Sequence, residues 1–173
     1  LQFLLEDRAG LLGAADVEAD AGERAGGDLE RVAGIERAVA ALDFLSDARQ
    51  ERARPGKTVV VIGAGNVGCD AAVEAHRLGA EKIALLDVQE PASFGKEREA
   101  AEAIGAEFKW PVFTKEITDN AITFESGENI PADTVIISIG DMPDLEFLPD
   151  DIEIANGFVK VNHHFLTTDP KIF

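Results

Sequence analysis

Residues 57–79 read KTVVVIGAGNVGCDAAVEAHRLG, and this stretch predicts a strand, a tight turn and a helix in direct succession. The run 58–62 is apolar or β-branched on both faces, as is typical of a strand buried in a parallel sheet. The run 69–78 is rich in helix-forming residues, and Gly79 suits the left-handed position that ends a helix. The rest of the chain is organised around this unit.

The turn itself, GAGNVG, has the spacing G-x-G-x-x-G. Gly63 permits the sharp turn from strand to helix, Gly65 lets a diphosphate approach the backbone, and Gly68 lets the helix pack closely on the strand. The unpaired N–H groups and the positive dipole end of the helix would then hold the diphosphate. The alternative is a glycine-rich turn in an α/β protein that binds no ligand.

A second strand, Lys82–Leu86, ends at Asp87. An acidic residue about 20 residues after the first glycine is the one that binds the adenosine ribose hydroxyls of a dinucleotide. Asp87 is close to that spacing. The strand–turn–helix context together with this acid favours dinucleotide binding over a ligand-free turn.

The following segments predict a right-handed βαβαβ unit and then a change of pattern. A helix over 96–104 and a strand over 107–112 complete the unit, with Pro111 at the strand's exit. Short alternating runs separated by turns then predict an antiparallel meander. The remaining predicted strands are a buried one over 134–139 and one in the tail over 157–161. The predicted fold class is α/β, a Rossmann-like three-layer βαβαβ parallel sheet with an antiparallel β-meander and an N-terminal helical segment.

The N-terminal third is less regular, and the sequence predicts four regions along the chain. Leu1–Leu12 has the pattern of a short amphipathic helix, and apolar residues at helical spacing predict a helix over 35–54 that Pro55 and Gly56 end. The regions are a loop-rich segment of unknown role, a linker helix, a nucleotide-binding Rossmann-like domain and a tail, which span residues 1–34, 35–56, 57–141 and 142–173.

Composition narrows the class of protein. The net charge of −17 argues against nucleic acid and anionic membranes as partners, and no apolar run is long enough to cross a bilayer. The start lacks a signal peptide and an initiator methionine, which indicates a chain cut from a longer one. With one cysteine the chain forms no internal disulfide, as expected of a cytoplasmic protein.

Other candidate reactive residues favour structural roles. Cys69 is either a small buried residue between helix and sheet or, if exposed, a thiol whose pKa the helix N-terminus lowers. His163 and His164 are adjacent, so on a strand they would point to opposite faces and could not easily bind one metal ion. The acids of the helix predicted over 96–104, Glu97, Glu99 and Glu102, suit a solvated surface. We therefore predict no metal site and no catalytic side chain in this chain.

Three motifs in order resemble the nucleotide-binding domain of the FAD/NAD(P) pyridine nucleotide-disulfide oxidoreductase superfamily. They are VVVIGAGNVGCDAA over 59–72, the strand end ISIG over 137–140 and TTDPKIF over 167–173. Residues 40–45, AALDFL, also resemble the helix that leads into this domain. The branch that is most similar is that of the glutamate synthase small subunit and related domains of Fe–S flavoenzymes.

This resemblance implies an NAD(H)-binding domain excised from a larger FAD-dependent oxidoreductase. It implies that the FAD site lies outside this chain, that the partners are NADH, an FAD domain and possible Fe–S centres, and that the strand end near Gly140 lies at the nicotinamide or ribose. The C-x-x-C pair of thioredoxin-reductase-like members is missing. The predicted cofactor-binding residues are Gly63, Ala64, Gly65, Asn66, Val67, Gly68, Asp87, Val88, Ile139, Gly140 and Asp141.

The identity of the nucleotide is predicted from the residues after the second strand. NADPH-preferring members carry arginines there, whereas this chain reads Asp87-Val88-Gln89-Glu90, and a carboxylate repels a 2′-phosphate. We therefore expect NAD rather than NADP. Lys96 and Arg98 are the nearby cations that could hold a 2′-phosphate instead, although helix-surface charge is the simpler role for both.

Two other functions stay open at this point. The chain could be a non-catalytic NAD(H)-sensing or structural Rossmann module, although the meander and the TTDPKIF tail argue against it. It could also be a self-contained dehydrogenase, but such an enzyme needs a substrate-binding half with an acid–base residue. The hypothesis of a domain that positions NADH for hydride transfer to a flavin accounts for more of the sequence.

Overall fold

The computed structural model describes residues 32–140 and 143–173 and divides into two compact units. The first unit ends at Ile139 and the second covers Gly140–Phe173. The helix expected at Leu1–Leu12 and the predicted site residue Asp141 lie outside the described residues. The functional division into four regions stays a prediction.

A five-stranded parallel sheet forms the centre of the first unit. Its strands are β1 (Val39–Ala40), β2 (Thr58–Ile62), β3 (Lys82–Leu86), β4 (Glu107–Lys109) and β8 (Thr134–Ile137). They lie in the order β1, β8, β2, β3, β4, so that β2 has β3 on one side and β8 on the other. The predicted bounds of β2 and β3 are confirmed.

Three helices cover one face of this sheet. They are α1 (Ala41–Arg49), α2 (Asn66–Arg77) and α3 (Gly95–Ala103). The inner face of α2 is lined by fully buried small residues, which let the helix lie close against Val59, Val61 and Leu85 of the strands. Among the residues that the structure describes, no helix is both long and apolar enough to span a lipid bilayer.

An antiparallel meander covers the other face. Its strands are β5 (Thr114–Ile117), β6 (Ala121–Phe124) and β7 (Asn129–Pro131). Because side chains alternate along a strand, Val60 and Ile62 point away from the helices and pack with Ile117, Ile122 and Phe124 of the meander. The predicted three-layer arrangement of helices, parallel sheet and meander is confirmed.

The predicted helix over 35–54 is shorter in the structure. Residues Ile35–Arg37 form one 3₁₀ turn, and Val39–Ala40 are extended and pair with Ile136 and Ile137 at the edge of the sheet. The helix occupies Ala41–Arg49 only. Pairing with β8 satisfies backbone groups that the helix would otherwise have satisfied, so tertiary contact overrides the helical periodicity. The segment expected as a linker helix is thus part of the α/β unit.

The end of the segment predicted as loop-rich also belongs to this unit. The N–H of Ile117 donates to the carbonyl of Ala33 at 2.7 Å, and Val32 is buried in the core beneath the meander. A Cβ on Gly34 would lie 2.0 Å from the carbonyl oxygen of Ile117. Residues 32–34 therefore run alongside β5 in close backbone contact.

Two strands end earlier than the sequence predicts. β4 stops at Lys109 because its partner residue Leu86 is the last residue of β3, and β8 stops at Ile137 opposite Ile62, the last residue of β2. Each of these two strands therefore ends where its neighbouring strand ends. All of them finish at one edge of the sheet.

The second unit is small and contains one hairpin. Its strands, β9 (Ile154–Ala155) and β10 (Phe158–Val159), are antiparallel, and β10 lies within the predicted strand 157–161. The hydroxyl of Thr168 donates to the carbonyl of Asp151 at 2.6 Å and accepts from the N–H of Glu153 at 3.2 Å. These bonds hold the TTDPKIF motif against the residues that precede the hairpin.

Asp133 should make the stability of the fold depend on pH. Its Oδ2 accepts the N–H groups of Lys57 and Thr58, both at 2.8 Å, and these bonds lower the pKa of the carboxyl. A lowered folded-state pKa gives stability that is complete above about pH 4 and is lost as the pH falls through the lower value. We expect Asp133→Asn to lower the thermal unfolding midpoint at pH 7, and the difference from the wild type to shrink towards pH 2.

Calorimetry of both proteins across this pH range tests the expectation. Asp150→Asn, which removes an exposed carboxylate from the second unit, is the matched control. A deficit in the Asp133→Asn midpoint that is the same at pH 2 and at pH 7 would contradict the assigned role.

Candidate functional site

The turn from β2 to α2 is built on two close backbone contacts. Gly63 has φ +100°, and a Cβ there would lie 2.2 Å from the carbonyl oxygen of Ser138. A Cβ on Gly68 would lie 2.1 Å from the carbonyl oxygen of Gly63. Both positions therefore accept only glycine without movement of the main chain. The first contact presses the turn against the end of β8, and the second presses α2 against the turn.

Gly65 is different, because a Cβ at this position would meet no atom of the described residues within 4 Å. Its φ of −75° and ψ of −177° are open to any residue, so the fold itself does not require glycine there. Gly65 is the N-cap of α2, and as a glycine it offers this helix no side-chain cap. The free space therefore lies at the start of a helix whose first N–H groups have no intrahelical acceptor.

The electrostatics of this helix start favour an anion. The first turn of α2 carries no acidic side chain, and the positive end of the helix dipole lies there. Val67, at the second helical position, is 45% exposed and adds an apolar contact surface. A diphosphate is the kind of group that such a helix start binds.

Asp87 lies directly after β3, and its carboxylate contacts the glycine-rich loop. Oδ2 accepts the N–H of Ala64 at 3.0 Å, and Oδ1 accepts the N–H of Gln89 at 3.3 Å. Its backbone N–H donates to the carbonyl of Lys109 at 3.1 Å. The structure thus brings together the acid and the loop that sequence spacing pairs. Their role in binding stays a prediction.

The remaining predicted site residues that the structure describes are Val88 and Ile139 in the first unit and Gly140 in the second. Val88 is half-buried after Asp87, and Ile139 is 40% exposed directly after Ser138, whose carbonyl meets Gly63. Gly140, with φ +87°, begins the second unit. The first unit therefore gathers Val88 and Ile139 at the strand ends near the loop.

Arg98 is engaged in three contacts and is not a free cation. Its guanidinium lies 3.7 Å from the ring centroid of Phe108, and it donates to Glu102 at 2.6 Å and to the Ser93 hydroxyl at 3.3 Å. Lys96 is exposed and lies 3.6 Å from Glu97. The geometry of Arg98 is that of a structural cation stacked on an aromatic ring.

Two side-chain contacts near the loop were not foreseen from the sequence. The side-chain oxygen of Asn66 accepts the N–H of Phe94 at 2.9 Å, and the ring of Phe108 supports Arg98. Asn66 was predicted as a cofactor-binding residue of the glycine-rich motif, with no contact to Phe94 expected. No sequence pattern indicates a partner 28 residues away, because such a contact depends on how two loops meet.

Cys69 packs between helix and sheet as a fully buried residue. Burial raises the pKa of its thiol, although a hydrogen bond with Ser93 and the charge of Arg98 act in the opposite direction. Cys69 is therefore a small buried residue between helix and sheet, and not an exposed thiol with a lowered pKa. His163 and His164 are exposed, with ring centroids 3.8 Å apart.

The family now follows from a comparison with known proteins. The sequence pattern of the family described as pyridine nucleotide-disulphide oxidoreductase matches residues 22–173. The chain belongs to this family. Members of the family are oxidoreductases that depend on FAD and NAD(P). The match includes both the Rossmann-like unit and the tail.

Three relatives illustrate the match. Rubredoxin-NAD(+) reductase of Ectopseudomonas oleovorans is 30% identical over 148 residues, which are 76% of this chain and 38% of that protein. The enzyme of the same name from Pseudomonas putida is 31% identical over the same shares. Oxidoreductase ptaL of Pestalotiopsis fici is 31% identical over 130 residues, 67% of this chain and 35% of that protein. The chain thus spans little more than a third of the length of these relatives.

Solved structures agree on the fold. Thioredoxin reductase of T. acidophilum superposes with a TM-score of 0.66 at 19% identity, covering 82% of this chain and 51% of that one. The Lactococcus lactis thioredoxin reductase gives 0.64 at 18% identity over the same shares. At this identity the likeness concerns the fold alone. The similarity to the glutamate synthase branch stays a prediction, since these matches do not identify the branch.

Gly63 and Gly65 should respond differently to substitution. We expect Gly63→Ala to destabilise the protein by about 1–3 kcal/mol, because the new Cβ meets backbone at a positive φ. Gly65→Ala should leave the free energy of unfolding within about 0.5 kcal/mol of the wild type, since its Cβ enters open space. Urea unfolding of both variants tests this, and equal losses of stability would contradict the described geometry.

Proposed function

We propose that this chain is the NAD(H)-binding domain of a larger FAD-dependent oxidoreductase. The single observation that carries the proposal is the open space above Gly65, at an uncapped helix start whose neighbouring loop is hydrogen-bonded to Asp87. The fold and the family support it. The matched part of the chain covers 38% of the length of the two rubredoxin-NAD(+) reductases, which supports a further domain in the parent protein.

The residues present fit a dinucleotide. Gly65 leaves the cradle that a side chain would fill, and the first N–H groups of α2 are donors of the kind that a diphosphate accepts. Each oxygen of the Asp87 carboxylate accepts one N–H, Oδ2 from Ala64 and Oδ1 from Gln89, which holds the group still and leaves a further acceptor position on each oxygen. A fixed carboxylate can accept both hydroxyls of the adenosine ribose. Ile139, Gly140 and Asp141 are proposed to lie along the nicotinamide half.

The cofactor would supply the redox chemistry, and the protein would bind and orient it. Bound NADH supplies a hydride for a flavin on the parent's FAD domain. The glycine-rich loop would fix the diphosphate, Asp87 would fix one ribose, and the apolar strand ends would exclude water from one side. No side chain of the described residues needs to act as acid, base or nucleophile. Onward transfer to Fe–S centres, a glutamate-synthase-like reaction and a cytoplasmic location are the finer parts of this proposal.

Gly65→Val should remove nucleotide binding while the fold is kept. The added side chain would occupy the space above the loop, where the diphosphate is proposed to lie. We expect the dissociation constant of NADH, measured by calorimetry on the 173-residue chain, to rise at least tenfold, about 1.4 kcal/mol. Circular dichroism and the unfolding midpoint serve as controls for folding. Unchanged affinity in a folded variant would refute the proposed site.

The preference for NADH should depend on the charge of Asp87. We expect the wild type to bind NADH at least about tenfold more tightly than NADPH, because the carboxylate repels a 2′-phosphate. Asp87→Asn keeps an acceptor for the Ala64 N–H but removes the charge, so the ratio of the two dissociation constants should approach one. Asp150→Asn, with the same change of charge in the second unit, should keep the ratio. A wild type that prefers NADPH would contradict this assignment.

A further inference from the structure

The loop between β3 and α3, residues 88–94, is held at both ends by residues next to the glycine-rich turn. At its start, the carboxylate of Asp87 bridges the N–H groups of Ala64 and Gln89. At its end, the N–H of Phe94 donates to Oδ1 of Asn66 at 2.9 Å. The loop is therefore attached to the β2–α2 turn at two points.

The bond from Phe94 to Asn66 is a helix cap supplied by another helix. Phe94 is the N-cap of α3, and its N–H is among the groups that need a partner outside that helix. An asparagine at the N-cap position caps its own helix, but the N-cap of α2 is Gly65. Here Asn66 is the first residue of α2, and within the described part of the chain no side-chain cap is present at the start of α2. The N–H groups of α2 thus stay open while Asn66 holds α3.

A third contact fixes the loop from the α3 side. The Ser93 hydroxyl accepts from Arg98 at 3.3 Å, and Arg98 is itself held by Glu102 and the ring of Phe108. The guanidinium of Arg98 is therefore engaged by the Ser93 hydroxyl, the Glu102 carboxylate and the Phe108 ring. Among the described residues, Arg98 forms no hydrogen bond or ion pair with the carboxylate of Asp87 or of Glu90.

We propose that Asn66 is a positioning residue that sets the choice between NADH and NADPH. This inference rests on the proposed function. By accepting the Phe94 N–H, Asn66 holds the end of the 88–94 loop, which carries Glu90, beside Asp87 and the proposed position of the adenosine ribose. Loss of this bond leaves the loop end held by the contact between Ser93 and Arg98, and a loop with one attachment fewer can move the Glu90 carboxylate aside for a 2′-phosphate.

Two substitutions at Asn66 separate positioning from charge. In Asn66→Ala the cap is lost, and the ratio of the NADPH and NADH dissociation constants should fall about fivefold, in keeping with one neutral hydrogen bond. In Asn66→Asp the acceptor is kept but a negative charge is added beside the diphosphate. Both affinities should then fall together, and the ratio should stay within about twofold of the wild type, because the added charge acts on the diphosphate that both nucleotides share.

The matched control is Asn162→Ala. Oδ1 of Asn162 also accepts backbone N–H groups, those of His164 and Leu166, but in the second unit. Calorimetry with NADH and NADPH on the four 173-residue proteins gives the ratios, and the control should keep the wild-type value. A ratio in Asn66→Ala equal to that of the wild type overturns the inference and leaves the proposed function standing. A wild type that binds neither nucleotide overturns both.

Amide exchange, measured by NMR on the wild type and on Asn66→Asp, tests the bond between Phe94 and Asn66 even if Asn66→Ala fails to fold. In the wild type and in Asn66→Asp the Phe94 amide should exchange at least tenfold more slowly than an unprotected amide. In a folded Asn66→Ala that protection should be lost, with no change at amides of β9 and β10. A Phe94 amide that exchanges freely in the wild type overturns the proposed cap.

Discussion

The approach of the Gly63 main chain to the Ser138–Ile139 peptide is the constraint on which the candidate site depends. No side chain fits between these segments, since a Cβ on Gly63 would lie 2.2 Å from the Ser138 carbonyl oxygen. The end of β2 can therefore lie directly beside the end of β8, and the chain can turn at once into α2. The second close contact, from Gly68 to Gly63, brings the start of the helix onto the same point. Gly65 is left as the outermost glycine of the turn, with free space above it.

The layers on the two faces of the sheet explain why the site forms at this edge. Crossovers through α2 and α3 lead from β2 to β4 on one face, and the meander then returns the chain to β8 on the opposite side of β2. The connections therefore diverge at the carboxyl end of β2. In open parallel sheets, this is where a crevice for ligands forms. The alternation of Val59 and Val61 with Val60 and Ile62 supplies apolar surface to both covering layers.

The charge of the protein and the charge of its proposed ligand have the same sign. A net charge of −17 repels a dinucleotide at long range, so attraction has to come from short-range main-chain groups. The absence of acids from the first turn of α2 and the absence of a side-chain cap on this helix serve that purpose. Asp87 is placed one strand away, where it contacts the loop through Ala64 and leaves the helix start open.

The sequence by itself determined the strand–turn–helix unit, the bounds of β2 and β3, the meander and the pairing of the glycine-rich loop with Asp87. These features follow from local patterns, namely apolar runs, glycine spacing and an acid at a strand end, and each pattern needs only a few neighbouring residues. Tertiary structure alone decided that Val39–Ala40 extend along β8 and do not form part of a helix. The reason is that the N–H and C=O groups along the edge of β8 can pair with those of an extended segment. It also decided that Asn66 caps α3 and that Arg98 stacks on Phe108. These contacts join residues on different loops and helices, and their partners come together only when the layers pack.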